Sequence, residues 1–499
     1  MSDPEKNSYQ DTSSNPEVSH VQELADPDAG KTPEERAEIE RKLLWKLDLR
    51  LIPWLSLLYL LCFLDRSNIG NAKVAHLTDD VPMTTHEYNA TLTIFFVGYA
   101  IFEALANVLL KKTKPSIFIP IIMILWGACM VGMGFVHNWS GLMAGRWFLG
   151  VTEAGLFPGV NYYLSCWYRR NEFGVRAAIF FSAAALAGSF GGLLAAAIQN
   201  MHGVSGLAGW QWIFVLEGLV TVLIGGASFW MVHDFPDEAR FLSEEDRARV
   251  LWRLKQDQQS SAEHEEFEMG HVWAAVKDWK TYAGMLIYMG SLMPLYSFSL
   301  FLPTIIQNMS FTTADAVVRN QLLSVPPYAL AAIVTVVVGF WSDRSGRRAI
   351  FNICCAPIAL TGFIMLIATD KAGVQYAGVF LGAAGIYPAI SLTIAWVANN
   401  VEGVYKRGIV LGAVIGWGNM NGVVSSNIYF NAPRFYEGHG VIIAYLFVSM
   451  FLGSILYAFF LSRENKARRE GRRDHLVAGK TAREIQAMGD GRPDFIYTI

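Results

Sequence analysis

Charge is scarce in this sequence, and cysteine is both scarce and scattered. Of 499 residues, 17% are Asp, Glu, Lys or Arg, against about 25% in an ordinary soluble protein. With 53% hydrophobic residues and a mean hydropathy of +0.30, that deficit excludes a soluble globular chain and points to a polytopic membrane protein. The formal charge of -3 carries little information, because the placement of charges matters more than their sum. Cys62, Cys129, Cys166, Cys354 and Cys355 form no CxxC pair and no Cys/His cluster, so neither a disulfide framework nor a zinc site is expected. The opening MSDPEKNSYQDTSSNPEVSH lacks a basic stretch followed by an apolar one, so no cleaved signal peptide is read. No glycine-rich phosphate loop, HExxH or GxSxG element occurs. An enzyme is therefore not expected, nor is a catalytic residue, a metal, a cofactor or a nucleic-acid partner.

What the chain has is long apolar blocks. A spanning helix needs about 20 mostly apolar residues. That length gives twelve candidates, at about 48–70, 88–110, 116–136, 140–160, 175–198, 211–232, 281–306, 322–341, 349–368, 376–398, 408–430 and 441–461. The expected organisation is a largely disordered cytoplasmic tail (1–46), a six-helix bundle (47–232), a cytoplasmic central loop (233–280), a second six-helix bundle (281–461) and a cytoplasmic tail (462–499). Within the first tail, Thr32-Pro33-Glu34-Glu35 reads as a helix start leading into the basic amphipathic ERKLLWKLDLR. In the central loop, Phe241-Leu242-Ser243-Glu244 opens a soluble helix that continues over Ala248 to Lys255.

Every second loop is poor in basic residues, and two of them, 137–139 and 199–211, contain no Lys or Arg at all. The other loops and flanks carry Arg41, Lys42, Lys46 and Arg50, then Lys111, Lys112 and Lys114, Arg169 and Arg170, Arg344, Arg347 and Arg348, Lys406 and Arg407, and Arg463 to Arg469. By the positive-inside rule both termini are cytoplasmic, which requires an even number of spans. Two such bundles can enclose a midplane site and rock to give alternating access.

Within the spans, ionisable residues are the informative exceptions, because a charge in hydrocarbon costs on the order of 2.5 to 3.5 kcal/mol or more. Asp65 and Arg66 interrupt the apolar run YLLCFLDRSNIGNA. They face a protein interior or a watery cavity, unless they lie at the membrane surface or simply neutralise one another. Arg146, Gly150 and Glu153 recur at i, i+4 and i+7, so acid and base share one helix face, where they serve function or glue neighbouring helices. Glu103 and Glu217 are candidates for a cavity or for structural polarity, as is Asn419; Asn399, Asn400, Asn421 and Asn427 are weaker ones. Tyr288, Tyr296 and Trp417, with Tyr59, Tyr99 and Tyr387, can line a site for a planar substrate or merely pack. Ala184, Gly188, Gly192 and Ala196, at four-residue spacing, form a small-residue stripe for close helix packing.

The stretch GFWSDRSGRR, Gly339 to Arg348, closely resembles the conserved cytoplasmic loop motif of the major facilitator superfamily, in the position where that motif belongs. A latch is the physical reading. Asp343 can meet a helix N-terminus or a neighbouring arginine, Gly339 and Gly346 permit tight turning, and Arg344, Arg347 and Arg348 remain cytoplasmic. The matching loop of the first half, ANVLLKKTKPS, lacks the Asp and the glycines. FLDRSNIGNAK, GRWFLGVTEAGLFPG, WIFVLEG, DFPDEARFLSEEDR, FLPTII, RENKARR and FIYTI together resemble the anion:cation symporter family, in particular its fungal allantoate and nicotinate permease branch. The resemblance implies the major facilitator fold and a secondary transporter. Arg66 would bind the substrate anion, while Asp65 and Glu153 would handle protons. It also implies proton-coupled import of a small organic anion, a nicotinate-like carboxylate or allantoate-like ureide, by a monomer in the plasma membrane. The alternatives are export of a metabolite or drug by proton antiport and, from another class, a nontransporting nutrient receptor.

Overall fold

In the computed structural model, Thr32 opens the first helix with a reciprocal cap. Its hydroxyl accepts the Glu35 N–H at 3.3 Å, and the Glu35 carboxylate accepts the Thr32 N–H at 2.9 Å. The helix then runs unbroken over Pro33–Val74, 42 residues. At about 1.5 Å per residue this is roughly twice the hydrocarbon thickness, so its first turns project beyond the bilayer. The first span and the amphipathic stretch before it are thus one rod.

The structure describes residues 26–256, 269–309, 317–430, 434–481, 484–485 and 488–499. The expected disordered tail lies outside the described residues up to residue 25, as does 257–268 of the central loop. The spans that follow the first are Thr85–Lys112, Pro115–Met133, Trp139–Glu153 continued by Leu156–Ser165, Arg170–Ile198 and Gly209–Met231. The second half has Trp279–Gln307, Val317–Ser345, Arg348–Ala368, Ala372–Asn399, Val404–Met420 continued by Gly422–Ser426, and Tyr436–Arg469. Among the described residues, ten helices are long and apolar enough by themselves to cross a membrane. The second span and the interrupted fourth complete the twelve. No strand occurs among the described residues. Both interrupted spans break near the polar centre described below, the fourth directly after Glu153 and the eleventh just beyond Asn419.

The halves meet along small-residue seams. A Cβ on Gly188 would overlap the Tyr328 ring, and one on Gly192 would overlap the Gln321 carbonyl and the Ser324 hydroxyl, so the fifth and eighth spans touch backbone to side chain. Gly70 makes the same close approach to the Leu300 carbonyl between the first and seventh spans. Between the second and eleventh, Asn427 donates to the Thr93 hydroxyl at 2.8 Å.

At the end that carries the termini, the hydrophilic segments fold onto the bundles. The helix Glu244–Gln256 lies against the projecting first helix through Lys46–Asp246 at 2.8 Å and Arg253–Glu40 at 3.1 Å. The stretch after the twelfth span returns beneath the second bundle. Asp490 takes Lys406 at 2.7 Å and also pairs with Lys280, while Arg468 donates to the carbonyls of Asp490 at 3.0 Å, Arg492 at 2.9 Å and Phe495 at 2.5 Å. A hydrophilic composition therefore does not make residues 489–499 a loose tail. Asp490 and Arg492 are paired with Lys280, Lys406 and Glu402 at the ends of the spans above.

Candidate functional site

Arg66 lies in the last third of the first helix, 3% exposed, in a box of aromatic rings. Its guanidinium carbon stands 4.9 Å from the centre of the Tyr99 ring, 5.2 Å from Phe95 and 5.5 Å from Tyr296. Nε and Nη2 both donate to Glu153 Oε1, at 2.9 and 2.6 Å, and Nη1 donates to the Tyr296 hydroxyl at 2.8 Å. Glu153 belongs to the first bundle and Tyr296 to the second, so one guanidinium joins the two halves.

The contacts continue across that boundary as a chain. The Tyr296 hydroxyl donates to Asn419 Oδ1 at 2.5 Å, and Asn419 Nδ2 donates to Glu103 Oε2 at 2.9 Å. The path runs Glu153, Arg66, Tyr296, Asn419, Glu103, crossing between halves twice. Glu153 Oε2 and Glu103 Oε1 are buried and accept no hydrogen bond from a described donor. A charged, planar donor fork faced by spare carboxyl oxygens is suited to exchange one carboxylate for another.

Asp65 faces elsewhere. Neighbours on an α-helix point about 100° apart, and the Asp65 carboxylate turns into the first bundle, where Trp126 Nε1 donates at 3.1 Å and the Thr221 hydroxyl at 2.8 Å. Asp65 and Arg66 therefore do not neutralise each other: the partner of Arg66 is Glu153. Arg146 does not reach Glu153 either. It is fully buried, stacks 4.6 Å from the Phe95 ring centre and donates weakly to the Thr91 and Arg66 carbonyls at 3.4 and 3.5 Å. Gly150, between them, is required by contact, since a Cβ there would overlap the Phe95 carbonyl.

Of the aromatic candidates, Tyr288 is buried, with its ring against Gly418, and its hydroxyl is unpartnered among the described residues. Trp417 is 43% exposed and donates to Met289 Sδ at 3.2 Å. Two residues before Asn419, it lies about 200° round the helix and outside the polar chain. Glu217 is buried and accepts from Asn68 Nδ2. Sequence reasoning missed Cys62, whose thiol lies 2.9 Å from Glu153 Oε1, and also Asn68, Trp126, Thr221 and Phe95. Spacing could have found some of them: Cys62 is one turn before Arg66, Asn68 one turn after Asp65, and Thr221 one turn after Glu217.

The 339–348 stretch forms a contact between the halves. Asp343 Oδ2 accepts the Val175 N–H at 2.5 Å, in the first turns of the fifth span, and Oδ1 pairs with Arg348 at 2.6 Å. Asp343 thus meets a backbone N–H in the second turn of the fifth span and an arginine at the start of the ninth. Gly346 takes a positive φ of 64°, a turn that disfavours a side chain. Gly339 instead serves close approach, because a Cβ would overlap Ala178. Arg344 and Arg347 are exposed, while Arg348 is buried.

Twelve helices in two halves, with a polar centre shared between them, define a membrane carrier. The chain belongs to the Major Facilitator Superfamily, whose profile matches residues 55–458. It is 34% identical over 473 residues to the MFS-type transporter cnsO of Penicillium expansum, covering 92% of this chain and 90% of that one. It is 33% identical to the high-affinity nicotinic acid transporter of Saccharomyces cerevisiae, covering 92% and 85%. To the major facilitator-type transporter hxnP of Emericella nidulans it is 30% identical, covering 97% and 99%. Among solved structures, the proton:xylose symporter XylE bound to a glucose derivative shares the fold, with a TM-score of 0.61 at 14% identity over 83% of this chain and 95% of that one. The protein is thus a multi-pass membrane transporter of this superfamily.

Proposed function

We propose that the chain is a proton-coupled importer of a small organic anion, a nicotinate-like carboxylate or allantoate-like ureide, in the anion:cation symporter branch. It works as a monomer in the plasma membrane with both termini cytoplasmic, and needs no cofactor. The observation that carries this reading is the Arg66 fork closed on Glu153 and tied to Tyr296 of the other half. A substrate carboxylate and Glu153 are alternative partners for the same two N–H groups, so an incoming anion must displace Glu153. A proton on Glu153 removes its claim on Arg66 without leaving a second buried negative charge. Proton and anion therefore load together, and loss of the proton on the cytoplasmic side returns Glu153 to Arg66 and expels the substrate.

The aromatic box around Arg66 suits a flat ring, and the 33% identity to a nicotinic acid transporter supports trying that substrate first. The test is uptake of labelled nicotinate and allantoate by vesicles holding the purified chain, at several external pH values and with a protonophore. Accumulation that rises with external acidity and collapses with the protonophore is expected. Uptake indifferent to both removes the proton coupling, and efflux from preloaded vesicles under the same gradient would reverse the direction.

A further inference from the structure

The first and sixth spans run antiparallel and are joined by hydrogen-bonded rungs, Trp54 to Ser228 at 3.1 Å, Thr221 to Asp65 at 2.8 Å and Asn68 to Glu217. Asp65 and Asn68 are one turn apart on the first span, and Glu217 and Thr221 one turn apart on the sixth, so the Asp65 and Glu217 carboxyls occupy neighbouring rungs about 5 Å apart along the seam. Both residues are buried, 0% and 4% exposed. Among the described residues neither has a cationic side chain within 4 Å. On the same seam Asp65 Oδ1, Asn68 Oδ1 and Glu217 Oε1 accept no hydrogen bond from a described donor.

The groups packed around the seam supply no counter-charge. The third span contributes the Trp126 indole and, as its one titratable side chain, Cys129; the fifth span has none from residue 177 to 198. The fourth span carries Arg146, which reaches the Arg66 and Thr91 carbonyls, and Glu153, which is taken by Arg66. On the first span, Arg66 faces Glu153 and Tyr296, Cys62 lies at Glu153, and Lys73 stands 4.2 Å from the centre of the Tyr88 ring. Two ionised carboxylates this close in a low-dielectric interior, without a cation, repel strongly and are poorly solvated. A proton on one of them supplies both the missing positive charge and a donor for the spare oxygens.

We propose that Glu217 and Asp65, bridged by Asn68 and Thr221, form a proton site of the first bundle, separate from the Arg66–Glu153 anion site. This rests on the proton-coupled reading only for its purpose. The site shares the first helix with Arg66 but uses another face of it, about 100° round, so gain or loss of the proton changes the seam with the sixth span while Arg66 keeps its contacts. When a hydronium ion gives up its proton here, one of its O–H bonds breaks, one carboxyl O–H bond forms and a water molecule leaves.

Infrared titration of the purified full-length chain in lipid, without substrate, reads such a proton directly. The wild type is expected to show a protonated-carboxyl band that decreases as the pH is raised. Glu217→Gln should lose one component of it, and Glu217→Asp should retain a titrating band at a shifted position, which also controls for folding. In Asp65→Asn the remaining Glu217 component should ionise at lower pH, because its negative neighbour is gone. A Glu217→Gln difference spectrum equal to wild type overturns the proposal, as does a Glu217 component constant across the titration. A chain that keeps the titrating band yet takes up no nicotinate keeps this site and loses the substrate reading.

Discussion

Glu153 Oε1 receives both Nε and Nη2 of Arg66, at 2.9 and 2.6 Å, and the two residues come from spans whose backbones hold them there without a loop or linker. The remaining Nη1 looks across to Tyr296. This makes the arginine a donor shared between the halves, and under the proposed function its own carboxylate is seated where a substrate's would go. Glu153→Gln removes the charge and keeps the shape. Nicotinate exchange across vesicles should persist in this variant, while accumulation driven by a pH gradient should disappear; intact accumulation would place the coupling in another group.

Arg66→Lys keeps the charge and loses the planar fork. A lysine can approach one oxygen at a time, and the pair of parallel hydrogen bonds to a carboxylate is gone. Nicotinate binding, measured by displacement on the purified chain, should weaken by about tenfold or more, the equivalent of about 1.5 to 3 kcal/mol for a charged hydrogen bond. Wild-type affinity would make Arg66 a structural residue.

Tyr296→Phe tests the link between the halves. Its hydroxyl is the one atom between Arg66 Nη1 and Asn419 Oδ1, so its removal leaves a buried donor and a buried acceptor unmet. Each unmet group costs about 1 to 3 kcal/mol. The variant should lower the thermal midpoint of the substrate-free protein more than that of the nicotinate-loaded protein, because a bound carboxylate can take the freed N–H. Equal losses in both states would mean that the hydroxyl only packs.

Much of this arrangement was legible in the sequence, for identifiable reasons. Twelve spans follow from apolar length alone, Arg66 and Glu153 stand out because charge in an apolar run is costly, and Asp343 stands out through its loop motif. Direction was harder to read. Asp65 and Arg66 are adjacent in sequence, but the helical turn sends one to Trp126 and the other to Glu153. Trp417 was a reasonable aromatic candidate near Asn419, yet its position round the helix takes it outward. Neutral partners such as Thr221 and Asn68 carry no charge to reveal them, and only the facing helix gives them a role. The folded C-terminal segment was illegible for another reason: FIYTI is too short to declare a core, and its place depends on Lys280, Trp396 and Lys406 from distant parts of the chain.

Asp343→Asn tests the latch. The carboxylate serves the Val175 N–H and Arg348 together, and an amide can accept from one but cannot balance the buried guanidinium. Breaking a buried pair from one side costs about 3 to 5 kcal/mol, here drawn from the state in which the fifth and eighth spans are closed. Spin labels at the exposed positions 42 and 344, one on each half, should report a longer distance in the variant. An unchanged distance distribution would make the contact incidental.

The Asp490 clamp gives a pH dependence with a definite sign. Burial by itself would raise this carboxyl, but Lys280 and Lys406 beside it outweigh that and hold it below its ordinary value. A carboxyl lowered by folding adds stability above its unfolded pKa, and that stability is lost as pH falls through the folded value. The clamp should therefore be closed throughout the neutral range and released only under distinctly acidic conditions. Release would leave Lys280 and Lys406 with Asp278 alone and free the Arg468 hydrogen bonds to the returning chain. Asp490→Asn should behave at neutral pH as the wild type does in acid, losing about 3 kcal/mol or more from the second bundle. Limited proteolysis after Arg469 checks it. Residues 489–499 should resist cleavage in the wild type at neutral pH and become cleavable in the variant, and equal resistance in both would show that the hydrogen bonds hold the segment without the ion pairs.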